Sequence, residues 1–353
     1  MANPSLDHAA VAPFLSQAGL ADAKIAFLAS DCSARTYYRL TPATGGGTKV
    51  LMHCQDAVTR GEMPAFLKIA NDMTANGLNA PHILATDLDA GYMILNDLGD
   101  TRVSVQLEKT PEREAELYTL ATDVLIRFAQ LPPVAYQDLP DFRQGPFVKG
   151  HRRIMDWYVP SILKRQVTDA EIATYMQAFQ SLWDALPPLP NGFVHGDFHL
   201  DNLMFLEGEN GVKRAGVLDF QDASQGPPVY DLVNLLCNVR CDIPGDIFAA
   251  CHARYVQAFP DTDRVAMEAT FRLYAVMFHL RVIGQFIKLA LRAGREQIIE
   301  HLPRINRYLQ QELAHPQFAG MNQFFKDLGI HWDKTVTEAD LPSLEQYIRK
   351  DAI

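Results

Sequence analysis

The sequence predicts an α+β chain with a short β-rich start and a longer, mainly helical remainder. Three observations carry this. Between residues 24 and 96, apolar runs of strand length are separated by turns rich in Gly, Ser and Asp. Beyond residue 110, apolar residues recur at helical spacing in successive segments. The chain has 353 residues, 48% of them hydrophobic, which is enough for two lobes with substantial cores.

Taken in order, residues 5–19 place Leu6, Val11, Phe14 and Leu15 on one face and stop at Gly19, so a helix is expected. Lys24 to Ala29 reads as a strand, Ser30 to Arg35 as a polar turn, and the alternating Thr36 to Leu40 as a second strand. Gly45-Gly46-Gly47 makes a hairpin turn, and Val50-Leu51-Met52 begins a third strand. A helix over 62–77 ends at Gly77, a strand follows over 81–87, and Gly91 to Asn96 is a strand running into the polar turn at Asp97 to Asp100. The expected boundary lies here, dividing 1–97 from 98–353. The second part is helical over 111–130, 169–186, 229–240, 246–258, 264–293 and 296–313, punctuated by Pro132-Pro133 and Pro187-Pro188. No internal repeat or low-complexity tail is visible.

Composition excludes several classes. A formal net charge of -10 argues against a general nucleic-acid binder, which needs a basic surface. The 5 cysteines form no paired framework. Cys237 and Cys241 stand four apart with no His or Cys pair nearby, which favours a buried helix face over a zinc site. The start lacks a basic region followed by an apolar run, so no signal peptide is expected. The most apolar stretch, Leu273 to Leu291, contains His279, Arg281, Gln285 and Lys288, and reads as a buried helix rather than a membrane span. A cytoplasmic chain with no membrane partner is expected. The sequence does not specify an oligomeric state.

The chemistry concentrates in two stretches. One runs Phe193-Val194-His195-Gly196-Asp197-Phe198-His199-Leu200-Asp201-Asn202-Leu203-Met204-Phe205, the other Gly216-Val217-Leu218-Asp219-Phe220-Gln221-Asp222. Bulky apolar residues flank both and read as short buried strands around a loop. Asp197 can accept a proton from an attacking hydroxyl, and Asn202 and Asp219 offer a neutral and a charged oxygen to one hard cation. Asp201, Glu207, Glu209, Asp222 and Asp231 add negative charge nearby against only Lys213 and Arg214. Asp231 directly precedes an apolar helical run and reads as a helix cap and loop brace rather than a catalyst. Asp222 fits either a residue that orients the loop or a plain turn.

His-Gly-Asp-Phe-His-x-x-Asn followed by Leu-Asp-Phe resembles the catalytic and metal loops of the aminoglycoside phosphotransferases, small-molecule kinases with a protein-kinase-like fold. Pro227 to Leu232 is similar to the helix start that supports the catalytic loop there. The resemblance implies a bilobal protein-kinase-like fold: a small β-rich N-lobe over 1–97 that binds the nucleotide, and a larger helical C-lobe over 98–353. It implies ATP and Mg2+ as cofactors, with Asp197 as catalytic base and Asn202 and Asp219 on the metal. His195 and His199 could form a metal pair with Asp197, but the first His of the family's motif braces the loop and binds no metal, and His195 is read that way. Leu95, Asn96, Asp97 and Leu98 fall at the hinge, where main-chain groups bond the adenine edge.

The turn at 30–35 falls where such kinases cover the nucleotide phosphates. Its backbone, the Ser33 hydroxyl and the Arg35 cation could all meet phosphate, although an ordinary hairpin turn fits the same residues. Where protein kinases carry a Lys on the third strand, this chain runs Lys49-Val50-Leu51-Met52-His53-Cys54. Arg35 or Lys49 must then supply the cation, or the activity is weakened or lost. Glu62 fits either a partner of that cation or an exposed helix acid.

Ser30-Asp31-x-Ser33-x-Arg35, Asp219-Phe220-Gln221-Asp222-Ala223 and His279 to Gly284 are similar to the anomeric N-acetylmuramate/N-acetylglucosamine kinases of cell-wall recycling. That branch also lacks the strand Lys. The resemblance spans roughly Ser30 to Leu291 and implies a cell-wall amino sugar as substrate. An aminoglycoside or other small-alcohol kinase, and a nucleotide-binding pseudokinase or regulatory scaffold, stand as alternatives.

Overall fold

The computed structural model describes residues 6–30, 35–43 and 45–353. Helix α1 (His8–Gln17) is capped by Asp7, whose carboxylate accepts from the N–H groups of Ala9 and Ala10. Five strands follow: β1 (Lys24–Ser30), β2 (Arg35–Thr41), β3 (Lys49–Cys54), β4 (Ile83–Asp87) and β5 (Tyr92–Asn96). They form one antiparallel sheet in the order β1-β2-β3-β5-β4. Helix α2 (Ala57–Ala75) interrupts them. It starts five residues before the sequence-based expectation because Asp56 caps it through Thr59 N–H at 2.8 Å, and the helix runs on through Gly61 and Pro64. One face of the sheet packs with α1 around Val11, Phe14, Leu15, Leu40, Leu51 and Ile94, with Phe14 stacked on Tyr92.

Short helix α3 (Val103–Lys109) and helix α4 (Glu114–Ala129) follow. Residues 146–163, for which no helix was expected, form α5 (Pro146–Lys149), a tight turn, a π-helical turn over Ile154–Tyr158 and α6 (Val159–Leu163). Their apolar residues are buried on nearly every side, so no 3.6-residue stripe is visible in the sequence. Helix α7 (Asp169–Asp184) opens with a reciprocal capping box between Thr168 and Glu171. The strand pair β6 (Gly192–Val194) with β9 (Ser224–Gly226) and the strand pair β7 (Leu203–Phe205) with β8 (Ala215–Val217) are each antiparallel.

The remaining helices are α8 (Val229–Leu236), α9 (Gly245–Gln257), α10 (Arg264–Ala293), α11 (Leu302–Leu313), α12 (Ala319–Asp327) and α13 (Leu341–Leu344). Helix α10 has the expected bounds, capped by Asp263 and ended by left-handed Gly294. By length and composition it could cross a membrane, but 78% of its most apolar window is buried inside the protein. Helix α8 stops at Leu236, four residues early, and residues 296–301 form a 3-10 turn ahead of α11.

The chain folds into two compact units. The first comprises the described residues up to Arg127 with Leu131–Ala135 and His199–Asp222; the second comprises Phe128–Gln130, Tyr136–Phe198 and Ala223–Ile353. The first unit therefore extends past residue 97, for a local reason. Backbone bonds Phe205 N–H to Thr101 O and Val217 N–H to Asn79 O, both 2.7 Å, sew the β7–β8 pair to the chain that follows α2 and β5.

Candidate active site

The second unit contains Asp197. β6 delivers the chain into the loop, and β9 pins β6 from the other side. The turn that follows is held by one buried carboxylate. Asp231, in the first turn of α8 and 1% exposed, accepts from His195 N–H at 2.7 Å and from Gly196 N–H at 2.8 Å. Asn234, one turn on, donates to the Gly196 carbonyl at 2.8 Å. Asp231 is thus the expected loop brace, while Pro228 rather than Asp231 occupies the helix N-cap position. Burial pushes its carboxyl up to about 7, against the two backbone bonds that favour the ionised form, and the nearby Asp197 charge adds to the rise.

Gly196 has φ +91°, and a Cβ there would come within 2.5 Å of the Phe147 ring, so only glycine fits. His195 is buried among Phe128 and Phe198, and its Nδ1 faces the Asp197 N–H at 3.3 Å. It braces the loop, as the motif implied. Asp197 itself is half-buried and leaves a fixed backbone.

The first unit contains Asn202 and Asp219. Asn202 lies in a 3-10 turn over Leu200–Asn202 that opens with His199, and its carbonyl accepts from Leu218 N–H at 2.9 Å. That bond ties the two stretches side by side. The Asn202 amide nitrogen then lies 3.5 Å from an Asp219 carboxylate oxygen. Asp219 is exposed and holds φ +61°, a strained backbone for a non-glycine residue. Gln221 donates to its other oxygen at 2.7 Å, and Phe220 anchors the stretch by stacking on Phe66 of α2 at 4.7 Å. One charged and one neutral hard oxygen donor, on a mostly open site, suit a magnesium ion that keeps waters and phosphate oxygens as its other ligands. Among the described residues no group of three or more His, Cys, Asp or Glu gathers as for a metal, and His199 opens its local turn by accepting from Asp201 N–H.

The nucleotide candidates lie on the sheet of the first unit. Arg35 is 5% exposed and pairs with Glu62 of α2. Glu62 is therefore the partner of a cation, not a solvated acid. The third strand offers no substitute. Met52 is buried, and burial lowers the pKa of His53, whose ring packs on Tyr92. Lys49 donates to Gly46 O at 3.1 Å and pairs in register with Leu40 and Asn96, whereas Arg35 pairs with Cys54. Five strand residues separate the two cations, roughly 17 Å along the ladder. The structure therefore does not bring Lys49 to Arg35. Ser33 lies outside the described residues.

At the expected hinge, Leu95 is buried and Asn96 accepts from His82 N–H at 2.6 Å. Asp97 accepts from Arg39 at 2.6 Å, Thr48 at 2.7 Å and Gly99 N–H at 2.9 Å. Against its burial, these bonds hold the Asp97 carboxyl below the usual carboxylate range. Its side chain is structural. The Asp97 network and Asn234 were not found from sequence. Only the spacing of Asn234, three residues after Asp231 on one helix face, could have pointed to it.

A five-stranded antiparallel sheet with a helix-borne acid paired to a strand cation, and separately an Asp loop braced from a helix, define a kinase-like phosphotransferase. The chain belongs to the phosphotransferase enzyme family, whose model matches residues 24–267. Its class is that of small-molecule kinases. It is similar to the N-acetylmuramate/N-acetylglucosamine kinase of Caulobacter vibrioides, with 30% identity over 352 residues covering 90% of this chain and 95% of the relative. It is 29% identical to the protein of the same name from Neisseria meningitidis, over 82% of this chain and 86% of that one. Among solved structures it is similar in fold to the ADP-bound aminoglycoside phosphotransferase APH(2'')-Ib, with TM-score 0.58 and 18% identity, covering 89% of this chain and 99% of that one.

Proposed function

We propose that the chain transfers the γ-phosphoryl group of ATP to a hydroxyl of a cell-wall amino sugar, N-acetylmuramate or N-acetylglucosamine. The observation that carries this is the similarity, over nine-tenths of the chain, to a kinase named for those two sugars. A supporting observation is the Arg35–Glu62 pair, which gives the small sheet a buried strand cation held by a helix acid and so answers the missing strand Lys. That disfavours the scaffold alternative.

In this proposal Asp197 orients the substrate hydroxyl and takes its proton. The hydroxyl oxygen forms the new bond to the γ-phosphorus as the bond to the β-phosphate oxygen breaks, and ADP leaves. Asn202 and Asp219 would hold Mg2+, which when bound neutralises phosphate charge. Arg35 holds the phosphates, and the main chain at Leu95 to Leu98 takes the adenine edge. The lobe boundary at 97/98 belongs to the same proposal, as does a cytoplasmic location. Most of the rate gain is positioning and charge neutralisation.

A panel of N-acetylmuramate, N-acetylglucosamine, other sugars and aminoglycosides, scored by ADP release with Mg2+ and ATP, tests it. Turnover of one or both amino sugars is expected. Preference for an aminoglycoside, or no turnover at all, overturns the substrate assignment.

A further inference from the structure

The second unit holds a pair of arginines that the chemistry above does not use. Arg153 precedes the π-helical turn, and Arg281 lies on α10. They meet around Gly150, where a Cβ would come within 2.4 Å of an Arg153 guanidinium nitrogen and 2.9 Å of Arg281 Cδ. Any side chain at position 150 would fill the space the two cations share. Gly284, one turn after Arg281, lets α10 approach so closely that a Cβ there would stand 2.2 Å from the Arg153 carbonyl. Two glycines thus hold two like charges together.

Neither arginine forms an ion pair among the described residues, and both have a buried Nε with no hydrogen-bond partner. Burial and the facing Arg281 charge both lower the Arg153 pKa, and an acid nearby relieves this only partly. That acid, Asp156, is bonded to Arg152 at 3.2 Å and to Ile353 N–H at 3.3 Å. Lys288, two turns along α10 from Arg281, adds a third cation on the same side and feels Arg153 as well. Unpaired, half-buried guanidinium groups held side by side are costly, and an anion would relieve them.

Their place relates them to the catalytic loop. Arg281 stacks over the Phe147 ring, 5.1 Å from its centre, and that ring is the one Gly196 abuts beside Asp197. Tyr230 feels both the Arg281 and the Asp197 charges. The two arginines therefore belong to the surroundings of the loop that receives the acceptor.

We propose that Arg153 and Arg281 form a carboxylate-binding site for the acceptor, taking the lactyl carboxylate that N-acetylmuramate has and N-acetylglucosamine lacks. The site rests on the amino-sugar substrate proposed above. Two guanidinium forks suit a carboxylate, whose two oxygens each accept charge-assisted bonds. The same cations disfavour aminoglycosides, which are polycations.

Arg153→Gln, Arg281→Gln and Arg281→Lys, each folded by circular dichroism, are assayed with both sugars. The ratio of kcat/KM for N-acetylmuramate over N-acetylglucosamine should fall roughly 10- to 100-fold in the Gln variants, mainly through KM for the acid sugar. Arg281→Lys should recover part of the ratio. Parallel loss on both sugars, a raised KM for ATP alone, or an unchanged ratio overturns the site. A titration independent of turnover separates this from failure of the substrate assignment. Arginine Nε–Hε resonances are followed in the wild type with D-lactate and with N-acetylmuramate. A shift at Arg153 and Arg281 supports the site even if neither sugar is phosphorylated, and no shift with either ligand overturns it.

Discussion

At the scale of single residues, function rests on what each side chain can offer that its neighbours cannot. Asp197 is the only acid carried by the braced loop between His195 and Phe198, and nothing else there can receive a hydroxyl proton. Asp197→Asn should keep ATP binding and lower turnover by about two to four orders of magnitude. Steady-state assays with the best acceptor check this, and near wild-type turnover would remove Asp197 from its role. Asp219 differs from Asn202 in charge and in its left-handed backbone. Asp219→Asn keeps an oxygen and a residue tolerant of positive φ, so folding should survive while the magnesium dependence of nucleotide binding flattens. Nucleotide titrations at stepped magnesium concentrations decide it. An identical response in variant and wild type would take Asp219 out of the metal site.

At the scale of elements, two couplings matter. The first joins β2 to α2 through Arg35 and Glu62. Because Lys49 lies at the other end of the β2–β3 ladder, Arg35→Ala should raise the apparent KM for ATP and Lys49→Ala should change it little. If both variants and their combination bind ATP as the wild type does, backbone groups alone hold the phosphates. The second joins α8 to the loop after β6 through Asp231. Burial lifts its pKa from the ordinary 3.8 to about 7, so between these values the native protein binds a proton that the unfolded chain does not. Stability from this group is greatest at low pH, falls as pH rises through that window, and is level above it. The lead in unfolding free energy of wild type over Asp231→Asn should therefore be greater at pH 5 than at pH 7.5. Denaturant titrations at both values measure it. A lead that is the same at both values would show that the brace is an ionised carboxylate throughout.

At the scale of the whole molecule, the family and the sheet elements were legible in advance, and much of the second unit was not. The strands between 24 and 96 could be read because they alternate or end at Gly-rich turns, and α10 because Asp263 and Gly294 mark its ends. Asp197, Asn202 and Asp219 stood out because their order and spacing along the chain match one motif. Local pattern and motif spacing, which depend only on residues near in sequence, determined the fold class and the phosphotransferase family, and they are the ground on which these three positions are proposed. Only the tertiary structure decided that Glu62 is a partner and not a solvated acid, that Asp97 is tied to Arg39 and Thr48, and that Arg35 and Lys49 lie at opposite ends of the ladder. Only it set Arg153 beside Arg281, which are 128 positions apart in the chain. The physical reason is common to all four. Burial, ion pairing and like-charge crowding depend on distances through space, and residues far apart in sequence leave no periodic signal of where they will meet.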